Sequence, residues 1–441
     1  MMITAVAPTE DPPSRERLVP RYATYPTTAL FRSDVGSAAR AAWTAALPPG
    51  VVLSARLHVP FCRRLCAFCC CRTQRARSAG QVTAYARALV TEIERVARRL
   101  PNGATLKAVA LAGGSPTILP VAAIRALGHA LGALGPLAPG APFGVEIEPH
   151  GVPRRRLDAL LGIGMTEAII GWQDLAPEVQ EAVGRELRLD RAAATIADVR
   201  AAGAARVAVD ILYGLPRQTA ASFAATCAAA AALAPDRITL TGYAHVPWMA
   251  RRQRLIPEAN LPAAPERAEH FSAGASVLAA AGYRAVGIDL FVRPGDPLVA
   301  AADLRRDLGF WLAAPVDAAL GFGAASVSRL PQGYVQNVAE TGAYVDRIAA
   351  GDDPASRGRA LGLEDRVRGR AIEMLLCDRR VDVAELEATF GDFARSVLPA
   401  CAAAARRFPE VVRLVPDGLD VAPAPPAILR EIAGLFDAHA G

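Results

Sequence analysis

Short apolar runs recur along the first two thirds of the chain, and between them lie stretches with helical spacing. Residues 54–59, 106–111, 143–148, 168–171, 207–212, 237–240 and 284–288 read as strands. Residues 82–100 and those following 177 place apolar side chains three to four apart, as one face of a helix does. This alternation predicts a parallel sheet with helices outside it, either an open barrel or a doubly wound sheet. The polar and glycine-rich pieces follow strands rather than helices. Parallel α/β folds collect ligands at the carboxyl ends of their strands. Glu146, Gln173, Arg185, Asp210 and the Gly113–Gly114 turn are therefore expected around one cavity. From about residue 352 the pattern changes to helices at 364–376, 383–398 and 426–438, with a hairpin or extended piece at 411–421. The expected division is an N-terminal extension (1–45), a main domain (46–350) and a small helical domain (351–441).

The 441 residues contain eight cysteines, too few for a disulfide framework, and five of them fall within residues 62–71. Cys227, Cys377 and Cys401 lie in Ala- or Leu-rich helical stretches and read as small buried hydrophobes. Cys62, Cys66 and Cys69 form a C-x3-C-x2-C run. Three thiolates on one loop suit three irons of a [4Fe–4S] cubane and leave the fourth open to a small molecule. A structural zinc site is the main competitor. It ordinarily draws ligands from two separated knuckles; here there is one, and His58, the available fourth ligand, precedes the loop on a strand. A redox thiol cluster is the third reading. Cys70 and Cys71 cannot both join one cubane with the other three. Phe68, just before the third cysteine, either packs on a flat ligand group or simply packs the loop.

Lys107 is the only lysine, so nearly all the positive charge is arginine, and the net charge is +6. Planar guanidinium forks suit carboxylates. No compact basic block interleaved with aromatics points to nucleic acid, and an acidic small substrate fits better. The first twenty residues have no apolar signal core, and the longest apolar run, 224–234, is about half of what a membrane span needs. A soluble, cytoplasmic protein is expected.

The cysteine run with its preceding aromatic resembles the radical S-adenosylmethionine (SAM) superfamily. The resemblance narrows through a series of motifs in order: Arg21-Tyr-Ala-Thr-Tyr-Pro-Thr27, His58-Val-Pro-Phe-Cys62, Cys69-x-Cys71, Gly113-Gly-Ser-Pro-Thr117, Gln173-Asp174, Gly184-Arg-Glu186, Asp210-Ile-Leu-Tyr-Gly-Leu-Pro216, Tyr243-Ala-His245 and Gln336-Asn337. Together they resemble the oxygen-independent coproporphyrinogen III oxidases over nearly the whole chain. The resemblance implies a partial TIM-like (β/α)6 radical SAM barrel with a small C-terminal helical domain, one [4Fe–4S] cluster on Cys62, Cys66 and Cys69, and two SAM sites. It implies conversion of coproporphyrinogen III propionates to vinyl groups, giving protoporphyrinogen IX. Gly113, Glu146 and Val327 would contact the cluster-bound SAM. Phe68, Gly114, Ser115, Gln173, Arg185, Asp210 and Ala244 would line the second site. No residue is assigned a catalytic role. The implied partners are an acidic tetrapyrrole and an unidentified electron donor, with the protein a monomer.

The chain departs from the family pattern at several places. Arg56 replaces a tyrosine at a cofactor-contact position, and Ala112 replaces the first glycine of the Gly-Gly-Gly turn. Glu167 stands on a strand expected near the second SAM site. Leu290 replaces a histidine, and Asp307-Leu-Gly-Phe-Trp311 replaces an Asn-Phe-Gln-Gly-Tyr loop. The last two fall on segments expected near substrate. The alternative function is a diverged paralogue acting on another tetrapyrrole, or a haem carrier using His58, His150 and His245.

Overall fold

The computed structural model describes residues 19–439; most of the polar N-terminal stretch lies outside them. Six strands run parallel and neighbour one another in chain order: β1 Val52–Val59, β2 Thr105–Gly113, β3 Phe143–Ile147, β4 Glu167–Gln173, β5 Arg206–Tyr213 and β6 Arg237–Gly242. Between them run helices including Ala79–Ala97, Val121–Leu134, Arg154–Gly162, Leu189–Ala201 and Ala220–Ala232.

Period-two alternation explains why these segments form strands with one face against helices. Leu53, Leu57, Val59, Val109, Leu111, Phe143, Val145, Ile170, Trp172, Val209 and Ile211 are buried in one continuous apolar core. Each such side chain contributes about 1.5–3 kcal/mol when fully buried. The intervening positions are small or polar: Arg56 and His58 on β1, Ala110 and Ala112 on β2, Glu146 on β3, Asp210 on β5. The nearly all-alanine helix Ala220–Ala232 starts from a reciprocal cap in which Thr219 and Ser222 bond each other's backbone N–H.

The sheet continues at both ends. Beyond β6 an antiparallel hairpin is formed by β7 Arg284–Val286 and β8 Leu290–Val292. The single strand expected at 284–288 is thus two short ones, because Gly287 takes a left-handed φ of 58° and turns the chain. A second hairpin, β9 Arg305–Asp307 and β10 Phe310–Leu312, stands apart from the sheet. Beyond β1, β11 Ala318–Phe322 pairs in parallel, followed by antiparallel β12 Val327–Leu330, β13 Gly333–Asn337 and β14 Ala355–Ala360. Residues 355–360, assigned to the tail on sequence grounds, therefore form the edge strand of the large sheet. The barrel stays open, with β14 and β7 at its ends.

The tail packs the helices Leu363–Asp378, Val383–Phe390, Leu398–Arg407 and Pro426–Gly434 around a second core. It also contains a three-stranded antiparallel sheet, Arg380–Asp382, Val412–Val415 and Gly418–Val421, whose last two strands make the hairpin expected at 411–421. Tyr22 and Tyr25 from the N-terminal segment are buried in this core. Cys227, Cys377 and Cys401 are buried, as expected of small hydrophobes.

Candidate active site

The cysteine loop leaves the carboxyl end of β1 and is tied to the β2 turn by backbone alone. Gly114 N–H donates to Val59 O at 2.8 Å, and Ser115 N–H to Phe61 O at 2.7 Å. A Cβ at Gly114 would lie 2.5 Å from Phe61 O and 2.8 Å from Val59 O, so only glycine permits this approach. Gly113 has φ 113°, and a Cβ there would overlap the His58 ring. His58 Nδ1 donates to Ala324 O at 2.6 Å, leaving Nε2 with its lone pair on the Gly113 side. Burial lowers the His58 pKa, so the ring is neutral.

Cys62, Cys66 and Cys69 are free thiols on this loop. Arg185 donates from Nη1 to Cys66 Sγ at 3.4 Å and from Nη2 to Gly171 O at 3.0 Å. A hydrogen bond from the Cys71 thiol, opposed by burial, lowers the Cys69 pKa to about 6, whereas burial pushes Cys62 up to about 11. Two residues beyond the expected set hold the loop down. Gln253, wholly buried, donates to Phe68 O at 2.7 Å and to Ala244 O at 3.0 Å. Arg252 Nη2 donates to Cys71 O at 3.2 Å, Thr73 O at 3.1 Å and Thr73 Oγ1 at 2.9 Å. Among the described residues, no three His, Cys, Asp or Glu side chains converge on one metal ion.

Glu146 accepts Gly113 N–H at 2.9 Å. Burial, opposed by the Gly113 hydrogen bond and aided by the acidic neighbours Asp210, Cys69 and Glu148, raises its pKa to about 8. A buried carboxyl with acidic neighbours is suited to a cationic ligand, and the sulfonium and ammonium of SAM are such cations. The donor set and the glycine cradle thus fit a cluster with SAM beside it.

A cavity of about 690 Å³ opens between this loop, β1, β2, β11 and the N-terminal segment. Arg56, Gly113, Ala244 and Val327 line it, together with His58, Cys70, Phe310, Trp248 and Met249. Its charged lining residues are Arg21 and Arg56, with no acidic side chain among the described residues. The other expected positions sit deeper or to one side. Ser115 Oγ bonds the Glu148 carboxylate. Gln173 has a left-handed φ of 57°, and its buried Oε1 has no partner. Arg185 lines a second, polar cavity of about 650 Å³ with Arg63, Arg64 and His150. Asp210 bonds Thr239, and burial raises its pKa to about 6. Phe68 packs on an apolar cluster containing Val179, Val183 and Tyr243.

Two sequence-based expectations are corrected. Glu167 lies at the amino end of β4, where Arg237 meets its carboxylate at 3.0 Å and Arg206 at 3.4 Å, so its charge closes the barrel floor. His58, His150 and His245 line three different cavities and do not assemble into one site. Sequence reasoning passed over Arg252 and Gln253 because a glutamine among arginines reads as surface; the sole hint was their position just after the Tyr243-Ala-His245 motif.

Residues 57–230 match the family model of the radical SAM superfamily. The oxygen-independent coproporphyrinogen III oxidase of Paracoccus denitrificans is 41% identical over 424 residues, 96% of this chain and 94% of the relative. Coproporphyrinogen III oxidase, anaerobic 1, of Cereibacter sphaeroides is also 41% identical, over 96% of this chain and 94% of its own length. The solved structure of coproporphyrinogen III oxidase (HemN) from Escherichia coli, described as a radical SAM enzyme, superposes with a TM-score of 0.88 at 29% identity, covering 95% of this chain and 97% of the other.

Proposed function

This chain belongs to the oxygen-independent coproporphyrinogen III oxidases of the radical SAM superfamily, and on that premise we infer that it decarboxylates coproporphyrinogen III to protoporphyrinogen IX in anaerobic haem biosynthesis. The observation that carries this reading is the 690 Å³ cavity beside the cysteine loop, mostly apolar, with two arginines as its charged side chains and no acid in its lining. An apolar macrocycle with peripheral carboxylates matches that chemistry.

When bound, the [4Fe–4S] cluster and SAM supply the one-electron chemistry that begins hydrogen removal from a propionate. Cys62, Cys66 and Cys69 are the residues that hold the cluster. Gly113 and Gly114 let backbone come close to the methionine part, and Glu146, once ionised, accepts hydrogen bonds from it. Val327 and the apolar walls keep water from the reacting carbon. We assign Phe68, Gly114, Ser115, Gln173, Arg185, Asp210 and Ala244 to a second SAM site. The unmatched partner is a reduced one-electron donor, and we place the enzyme in the cytoplasm as a monomer. No helix among the described residues is long and apolar enough to cross a membrane. The barrel with its substrate segments and the tail are read as two units, with Tyr22 and Tyr25 joining the N-terminal segment to the second.

The cluster assignment is tested on the anaerobically reconstituted protein. Wild type, C70A and C71A are expected to hold about four irons per chain, and C62A, C66A and C69A to lose the cluster absorbance. Full iron in any of the last three refutes the ligand set.

A further inference from the structure

Three positions at which this chain departs from its family's pattern touch one another. The Arg56 guanidinium lies 4.0 Å from the centroid of the Phe310 ring, and its Nη2 donates to Asp307 O at 2.5 Å. The Asp307 carboxylate is already engaged, taking Nε and Nη2 of Arg329 at 2.9 and 3.1 Å. Arg56 thus takes the backbone oxygen of Asp307 while Arg329 holds its carboxylate, so the two guanidiniums stand beside a single acid and the trio carries a net positive charge. Nε and Nη1 of Arg56 are enclosed and have no protein acceptor. Burial lowers the Arg56 pKa to about 10, which leaves it charged at neutral pH. A buried cation with unused donors is costly unless an anion completes it. Arg56 lines the cavity, and the cavity's own lining supplies no such anion.

We propose that Arg56 binds a carboxylate of the cavity's ligand, specifically a propionate of the tetrapyrrole, and so replaces a neutral family contact with a charged specificity determinant. This rests on the porphyrinogen reading given above. Register separates it from the SAM-facing turn. Arg56 pairs with Ala110 on β2, whereas Gly113 pairs with Val59. Three residues along a strand put Arg56 roughly 10 Å deeper than that turn. Its contacts at Asp307 and Phe310 lie on the hairpin of β9 and β10, which contributes Leu308 and Phe310 to the cavity lining. The guanidinium fork suits bidentate carboxylate recognition, with Phe310 and Asp307 fixing its plane.

The test uses the anaerobically reconstituted protein and coproporphyrin III, the stable oxidised macrocycle, with its tetramethyl ester as the uncharged control. Binding is read from porphyrin fluorescence, and SAM binding by calorimetry. R56M is expected to weaken coproporphyrin III binding about tenfold to a hundredfold, to leave ester binding within about threefold, and to leave SAM affinity unchanged. R56K, which keeps the charge without the fork, is expected to lose less. A fall in SAM affinity with unchanged porphyrin binding overturns the proposal and makes the methionyl carboxylate the ligand. Unchanged binding of both with a lower melting temperature also overturns it, reducing Arg56 to a clamp for the hairpin. Failure of the wild type to bind coproporphyrin III at all defeats the porphyrinogen reading itself. That result is distinct from loss confined to the variant.

Discussion

At Gly114 one methyl group is enough to separate the β2 turn from the cysteine loop. Its Cβ would meet backbone carbonyls, which cannot rotate away, at 2.5 and 2.8 Å. G114A is expected to lower SAM affinity at least about tenfold while iron content stays near wild type, because the cysteines are untouched. Calorimetry with SAM beside iron analysis checks both halves. Glu146 gives a pH signature. Its folded pKa of about 8 lies above the ordinary carboxyl value of about 4.3, so the folded state holds a proton that the unfolded chain has released. Stability from this group is complete below that ordinary value and is lost as pH rises toward 8. The melting temperature of the cluster-free protein should fall across this window, and E146Q should flatten the slope. The cysteines, Gly113 and Glu146 were legible in the sequence because their chemistry is tied to motif spacing at strand ends. Gln253 was not, since what makes it important is its burial against the backbone oxygens of Phe68 and Ala244, and burial of a lone glutamine leaves no periodic trace.

Between elements, one buried network sets the back of the site. Glu92, on helix Ala79–Ala97, takes Arg40 at 2.7 Å, Asn337 Nδ2 at 2.8 Å, Tyr344 OH at 2.7 Å and Gly323 N–H at 2.8 Å. Two turns earlier on that helix, Tyr85 donates to His58 O and accepts Ala324 N–H. The helix thereby holds the 322–326 turn against β1, and Ala324 in turn orients His58. R40M strands a buried carboxylate and is expected to cost about 3–5 kcal/mol. R99A removes the half-exposed partner of Asp353 and should cost no more than about 1 kcal/mol. Urea unfolding of the two variants makes the comparison. The six barrel strands were legible because each has one uninterrupted apolar face. The hairpins at 284–292 and 305–312 were not, because strands of three residues, one of them the fully charged Arg305-Arg306-Asp307, are too short to show a period of two. Charge patterning likewise gave no depth along a strand, which is why Glu167 was expected near the site and lies on the floor.

Across the whole molecule, the cavity is a composite. The barrel supplies Arg56, His58 and Gly113, the segment following β6 supplies Ala244, Trp248 and Met249, and the N-terminal segment supplies residues from Val19 to Ala29. That last segment is anchored by Tyr22 and Tyr25 in the core of the tail, so the tail helps to shape a cavity distant from it in sequence. This coupling was invisible in the pattern of elements, since the tyrosines stand in a stretch with no periodicity of its own; only the ordered motifs hinted that both ends of the chain serve one site. The most direct measurement is anaerobic turnover. The reconstituted enzyme, reduced with dithionite and given SAM and coproporphyrinogen III, should yield protoporphyrinogen IX together with CO₂ and 5′-deoxyadenosine. Cluster-dependent cleavage of SAM with no loss of CO₂ from the porphyrinogen would contradict the account.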